Sequence, residues 1–251
     1  HAHHFDLVID LQMIAKSGLI SFLSGGRKKI GYNDAREGSF LFSKPISGPH
    51  KHGHIIEQHL DVMRYIGCPV DKIEFPLPVL TDEMETVTKL LEEYNVKSPY
   101  VVLVPGTRGG RKKWPIESWG ALAKKLAEDK IFCLIAGTPN EMGMGKTIKK
   151  ISPTPYIVNL MGKTNLLELV ALEKAALHIS GDTGPLHIAN AVHTPIIALF
   201  GPTLPDRSGP YGNANGYALL ADHPGTKECR MSSIPVDRVY QLVHEILKKD
   251  D

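Results

Sequence analysis

The sequence predicts an α/β protein whose C-terminal part is a doubly wound parallel sheet. Three observations carry this. From about residue 100 onward, short apolar runs of strand length alternate with longer segments whose apolar residues recur at helical spacing. Runs such as 131–136 and 195–200 are apolar, as strands covered on both faces are. Polar, glycine-containing turns follow the runs at Val104, Ala136 and Ser180, where a parallel strand ends and a helix begins.

Taken in order, residues 5–11 read as a strand and 12–23 as a helix that ends before Ser24-Gly25-Gly26. Residues 29–32 are a second short strand. A helix over 54–66 carries Ile55, Ile56, Leu60, Met63 and Ile66 at spacings that suit one buried face, and Gly67 closes it. Residues 69–81 contain Pro76 and Pro78 without periodic pattern, which predicts a linker. The chain thus divides into an N-terminal part, 1–80, and a C-terminal domain, 81–251. Asp82, with Glu85 three positions on, matches a capping box that opens a helix reaching Tyr94. Strands follow at 100–105, 131–136, 156–160, 176–180 and 195–200. Helices alternate with them: one entered at Pro115 with Trp119, Leu122 and Leu126 on a face, one after Asn140, one over 166–176, and a last one over 236–249. That last helix bears Arg238, Lys248 and Lys249 beside a packed stripe of Val239, Leu242, Val243 and Ile246. The N-terminal part offers one or two strands, too few for an independent parallel sheet, and is expected to be incomplete.

Composition narrows the function. At 251 residues the chain can bury a sizeable core, and 42% hydrophobic with 22% charged residues is ordinary for a soluble globular protein. A formal charge of +2 gives no reason to expect a nucleic-acid partner, and none is expected. No apolar run approaches the ~20 residues that span a bilayer, and no secretory signal is visible after His1-Ala2-His3-His4. Cys68, Cys133 and Cys229 are odd in number and far apart, which fits a reducing, cytoplasmic setting.

Three strand-end loops carry chemistry. The segment from Pro105 to Pro115 combines Gly106, Gly109 and Gly110 with Thr107 and the cations Arg108, Arg111, Lys112 and Lys113, groups suited to a pyrophosphate. It lacks the Gly-Lys-Ser/Thr ending of a Walker loop, and its alternative reading is a solvated basic loop. Glu141, after Gly137-Thr138-Pro139-Asn140, can bridge a ribose diol or serve as a first-turn acid on a helix dipole. In the third loop Asp182 can accept from sugar hydroxyls, the N–H groups of Thr183 and Gly184 can face a phosphate, and His187 falls one turn into the next helix. The alternatives there are Asp182 as a helix cap and His187 as a core histidine. His50, His52 and His54 alternate in a loop, yet no cysteine or carboxylate framework completes a zinc site. A Gly-x-Ser-x-Gly elbow is absent, so acyl transfer is unsupported.

These loops, in this order, resemble the glycosyltransferase family 9 heptosyltransferases, which build the inner core of lipopolysaccharide. The resemblance begins at Asp6-Leu7-Val8-Ile9-Asp10-Leu11-Gln12 with Lys16-Ser17. It continues through Pro105-Gly106-Thr107, Lys112 and Trp114-Pro115, and then Gly137 to Glu141. Asp182-Thr183-Gly184 with His187, and Phe200-Gly201-Pro202-Thr203 downstream, complete it. It implies a GT-B-like arrangement of two Rossmann-like domains, the C-terminal one binding an ADP-sugar donor and the N-terminal one a lipid-linked oligosaccharide acceptor. Thr107 and Lys112 would lie on the donor phosphates, Glu141 on the ribose, and Asp182, Thr183, Gly184 and His187 around the phosphate and heptose. Inversion without a metal or other cofactor is implied, together with transient contact at the inner face of the inner membrane. Family members open with a strand and a glycine-rich loop whose aspartate acts as general base; that position is expected upstream of residue 1, and Asp10 matches a different one. The chain is therefore expected to bind donor nucleotide better than it turns over. Alternatives are a non-catalytic nucleotide-binding module and a GT-B transferase using a UDP- or GDP-sugar, with base selectivity in backbone contacts near Lys163.

Overall fold

In the computed structural model, which describes residues 4–34, 36–78 and 80–248, the chain forms two compact units, His1–Ile73 and Glu74–Asp251. The first is built on a parallel sheet of three strands, Leu7–Asp10 (β1), Lys28–Tyr32 (β2) and Lys44–Ile46 (β3), in the order β1-β2-β3. The third strand is a correction to the sequence reading. Lys44-Pro45-Ile46 is three residues long with a central proline, and a proline donates nothing to a ladder, so it hides a strand from pattern reading. The helix after β1 also starts later than expected, at Ala15–Leu23 (α1). Asp10 is the reason: its carboxylate accepts from the backbone N–H groups of Gln12 and Met13 at 3.1 and 3.0 Å, and Met13 takes a left-handed φ of 48°. A tight turn therefore precedes the first helical residue.

Helix α2, Ile55–Tyr65, lies where the periodicity puts it, but its deepest face is Gln58, Asp61 and Val62 rather than the isoleucine stripe. Asp61 is 2% exposed and anchors the loop after β3. It accepts from Tyr32 Oη at 3.2 Å, from the His50 backbone N–H at 3.0 Å and from Arg64 at 2.8 Å, and it pairs with His50 Nδ1 at 2.8 Å. Gly48 makes room, since a Cβ there would sit 2.3 Å from the Asp61 carboxylate. Burial works to raise the Asp61 carboxyl, but the bonds from His50, Arg64 and Tyr32 outweigh it and hold the group below its ordinary value. The resulting stability is present above the unfolded aspartate value of about 3.9 and is lost as pH falls through the depressed native value. Asp61→Asn is expected to cost about 3 kcal/mol, because an amide faces donors where a carboxylate stood. Urea unfolding of wild type and variant at neutral pH and below pH 4 checks this: the gap should close in acid.

The second unit carries Thr81–Glu93 (α3), Tyr100–Val104 (β4), Ile116–Glu128 (α4), Phe132–Ile135 (β5), Met142–Ile151 (α5), Ile157–Asn159 (β6) and Leu166–Leu172 (α6). Leu177–Gly181 (β7), Gly184–Ala191 (α7), Ile196–Phe200 (β8), Pro205–Ser208 (α8), Gly216–Leu220 (β9) and Val236–Leu247 (α9) follow. Its sheet is parallel throughout, in the order β6-β5-β4-β7-β8-β9. The chain winds outward from β4 and then returns to build the other half from β7, so the winding reverses between these two strands. Alternate residues of each strand face opposite layers. Val101, Leu103, Cys133, Ile135, Leu177 and Ile179 pack with Trp119, Leu122, Leu126 and Val243 on one side. On the other side Val102, Val104, Leu134 and Val158 pack with Val87, Leu169 and Leu172.

Three further expectations need correction. Helix α3 begins at Thr81 after Leu80 with no side-chain cap, so the box of Asp82 and Glu85 is not formed. Helix α6 ends at Leu172, where Glu173 turns inward. Strand β9 was not foreseen; it is an edge strand with exposed and half-buried residues, without the apolar run that marks the central strands. Lys249, placed by the sequence in the last helix, lies outside the described residues.

Candidate functional site

The carboxyl ends of β4 and β7 open on a cavity of about 900 Å³, at the reversal point where open α/β sheets bind ligands. Its wall includes Thr107, Lys112, Glu141, Asp182, Thr183, Gly184 and His187. The structure thus brings these seven candidate residues together, whereas Arg111 and Lys113 of the basic loop are not among those lining the cavity.

The loop after β4 turns at Gly109, whose φ of 91° suits a residue without a Cβ, and passes through a 3-10 turn at Gly110–Lys112. Trp114 ends it. That side chain is 2% exposed, donates its Nε1–H to the Ile234 carbonyl at 3.1 Å and stacks edge-on against Trp119. The loop is therefore pinned two residues from Lys112. The four cations do not act alike. Arg108 and Lys112 line the cavity, whereas Arg111 donates to the backbone carbonyls of Thr226 and Lys227 at 2.8 and 3.2 Å and holds the loop to that segment.

Lys112 Nζ lies 2.6 Å from Asp182 Oδ2, and Thr203 Oγ1 donates to the same oxygen at 2.9 Å. Burial works to raise the Asp182 carboxyl, but the bonds from Lys112 and Thr203, the lysine charge and Ser208 prevail and keep it below the ordinary carboxylate range. Asp182 accordingly stays ionised through mildly acidic pH. Asp182 is not the helix cap that the sequence allowed: Thr183 holds that position in extended conformation, φ −143° and ψ 166°. Thr183 Oγ1 is buried without a hydrogen-bond partner among the described residues. The amides that open α7 border the cavity beside it. His187 is exposed at the rim, which removes the core-histidine alternative.

Glu141 also belongs to the wall. Its Oε2 accepts from the Thr138 N–H at 2.9 Å and from Thr138 Oγ1 at 2.8 Å, which fixes the carboxylate by a local capping box. Gly106 lets it approach, for a Cβ there would lie 2.0 Å from Glu141 Oε1.

Thr164, Asn165, Leu166 and Leu169 at the start of α6 also line the cavity, and the sequence reading missed them. The signal existed: Asn165 with Glu168 three residues on is a capping box, with Asn165 Oδ1 accepting from Leu167 and Glu168 N–H at 2.8 and 2.9 Å. Lys163 itself bonds Tyr94 Oη and lies over the Tyr94 ring. The histidine loop is structural, His50 bonding Asp61 and His54 Nδ1 accepting the Ile56 N–H at 3.2 Å. No group of three His, Cys, Asp or Glu suited to a metal occurs among the described residues.

The family model described as glycosyltransferase family 9 (heptosyltransferase) matches residues 1–235. The chain belongs to this family. A lipopolysaccharide core heptosyltransferase of Haemophilus influenzae is 26% identical over 230 residues, covering 89% of this chain and 65% of that protein. Lipopolysaccharide heptosyltransferase 3 of Escherichia coli K12 is 30% identical over 211 residues, covering 80% of this chain and 60% of that protein. The chain spans 60% to 65% of the length of such curated relatives. Among solved structures, an E. coli heptosyltransferase with ADP-2-deoxy-2-fluoro heptose is similar at 25% identity and TM-score 0.69, covering 98% of this chain and 73% of that one. The fold is accordingly GT-B-like α/β, each family 9 unit here built on a parallel sheet.

Proposed function

We propose that the cavity of the second unit binds the ADP moiety of an ADP-heptose donor, and that the protein transfers the heptose with inversion to a lipid-linked lipopolysaccharide inner-core acceptor. The observation that carries this reading is the meeting of Lys112, Asp182, the α7 amides and Glu141 around one cavity at the reversal point of the sheet. About 900 Å³ is room enough for a nucleotide sugar. The fluoro-heptose complex of the similar E. coli protein supports the choice of donor.

In this reading Lys112, Arg108 and Thr107 face the diphosphate, the start of α7 adds N–H dipoles, and the fixed carboxylate of Glu141 accepts from the ribose hydroxyls. Asp182 and His187 lie towards the sugar. The acceptor hydroxyl, giving its proton to a base or to water, attacks the anomeric carbon from the face opposite the diphosphate, the bond to the departing oxygen breaks, and its electron pair leaves with ADP. Charge grows on that diphosphate in the transition state, so preorganised cationic and amide groups there lower the barrier. The proposal takes the reaction as metal-free and cytoplasmic, with contact to the inner membrane through the acceptor. Asp10 is not the general base, because its carboxylate is committed to the Gln12 and Met13 amides and to Ser17.

Calorimetric titration with ADP, UDP and GDP tests the reading. ADP is expected to bind at least about tenfold more tightly than the others, a difference of about 1.4 kcal/mol. A folded protein that binds no nucleotide, or prefers UDP or GDP, would overturn it.

A further inference from the structure

One face of β7 carries a chain of buried polar groups that the donor reading leaves without a task. Glu173 closes α6, and its Oε1 lies 2.8 Å from His178 Nδ1. His178 Nε2 lies 2.8 Å from Ser180 Oγ, and Ser180 Oγ donates to the Gly181 carbonyl at 3.0 Å. Glu173 is 2% exposed and the other two 0%. His178 and Ser180, two apart on a strand, share a face, while Leu177 and Ile179 on the other face are ordinary core residues. Aliphatic side chains could fill this central position at lower desolvation cost, so the polar chain calls for a purpose beyond packing.

Its proton count gives it a direction. Ser180 has one hydroxyl proton and gives it to Gly181, so Oγ accepts from His178 Nε2–H, and a hydrogen bond joins Nδ1 to Glu173. Glu173 is held in turn: Thr194 Oγ1 donates to its backbone carbonyl, and Tyr100 Oη donates to the neighbouring Leu172 carbonyl at 3.1 Å. Among the described residues Glu173 Oε2 has no hydrogen-bond partner, so the carboxylate is held through His178. The chain ends on a glycine carbonyl immediately before Asp182. Glycine restrains its own dihedrals least, and a planar peptide that has its C=O fixed has the next N–H fixed as well.

We infer that Glu173, His178 and Ser180 are positioning residues that hold the Gly181–Asp182 peptide, and with it the turn through Thr183 and Gly184, in the orientation that receives a diphosphate. The inference rests on the donor reading of the cavity. None of the three lines the cavity, and they act through the backbone. The bond from Lys112 to Asp182 then forms on a turn already oriented from below.

Amide hydrogen exchange on the ligand-free protein and ADP titration, with Ser180→Ala, His178→Gln and His178→Leu, form the test. Ser180→Ala is expected to speed exchange at Asp182, Thr183 and Gly184 by about tenfold and to weaken ADP binding by about the same factor. His178→Gln keeps a donor for Ser180 and should stay within about threefold of wild type in both. His178→Leu should lose ADP binding; should it fail to fold, Ser180→Ala carries the test. Wild-type exchange and wild-type affinity in Ser180→Ala would overturn the inference while leaving the donor reading intact. Faster exchange in Ser180→Ala, in a protein whose wild type binds no ADP, would remove the donor reading and with it the diphosphate role of the turn.

Discussion

Lys112→Ala is expected to weaken ADP binding by about tenfold to a hundredfold, with little change in thermal stability. A charge-assisted hydrogen bond contributes about 1.5–3 kcal/mol net, and each 1.4 kcal/mol is tenfold. Lys112 has that geometry available at the cavity wall, with a loop pinned by Trp114 behind it. Its side chain is 30% exposed, so its removal leaves no large void and no deeply buried orphan beyond Asp182. In the free protein, however, the ammonium is already 2.6 Å from Asp182, and a diphosphate must compete with that carboxylate.

The competition gives the two partners opposite signs. Asp182→Asn removes the rival anion and should hold ADP as tightly as wild type or a few-fold more tightly, with binding more sensitive to salt. The same change should lower affinity for the complete ADP-sugar, whose hydroxyls exchange a charged acceptor for a neutral one. The double variant should resemble Lys112→Ala alone, because Asp182 acts on ADP through the lysine. Calorimetry of the four proteins at two salt concentrations reads all of this. Wild-type affinity in Lys112→Ala would place the diphosphate elsewhere.

How much of this was legible in the sequence follows from what each residue depends on. The central strands β4, β5, β7 and β8 were visible because both faces are buried and apolarity alone marks them. The loops at Lys112, Glu141 and Asp182 were visible because strand-end turns collect glycine, hydroxyl and charge for local reasons. Strands β3 and β9 were not, since each lies at a sheet edge and owes its pairing to a neighbour rather than to its own pattern. The inward face of α2 escaped for a related reason: Asp61 is buried because Tyr32 and the loop at His50 satisfy it, and Gln58 because its Nε2 bonds the carbonyls of Lys51 and Gly53, partners that lie outside the helix. Arg111 and Lys112 are adjacent and chemically alike, yet only the fold separates a loop tie from a cavity cation.

Trp119→Ala is expected to have the largest effect on stability, about 3–5 kcal/mol, because it opens a cavity in the core between α4 and the sheet. For a unit of this size that is roughly 10 °C in melting midpoint. The ring is 1% exposed and meets Trp114 edge-on at 5.1 Å between centroids. Its Nε1 is buried without a partner among the described residues, which separates volume from polarity. Trp119→Phe gives up some volume but also relieves that unsatisfied donor, so its cost should stay near about 1 kcal/mol. Function should follow the same division. Trp114 ends the loop that carries Lys112, so a void at Trp119 should loosen that loop and weaken ADP binding, whereas the phenylalanine variant should bind as wild type does. Thermal melts with and without ADP compare the three proteins. If Trp119→Ala melts early yet keeps its full ADP-induced stabilisation, the tryptophan pair supports the core alone and the position of Lys112 is set by Arg111 and its backbone partners.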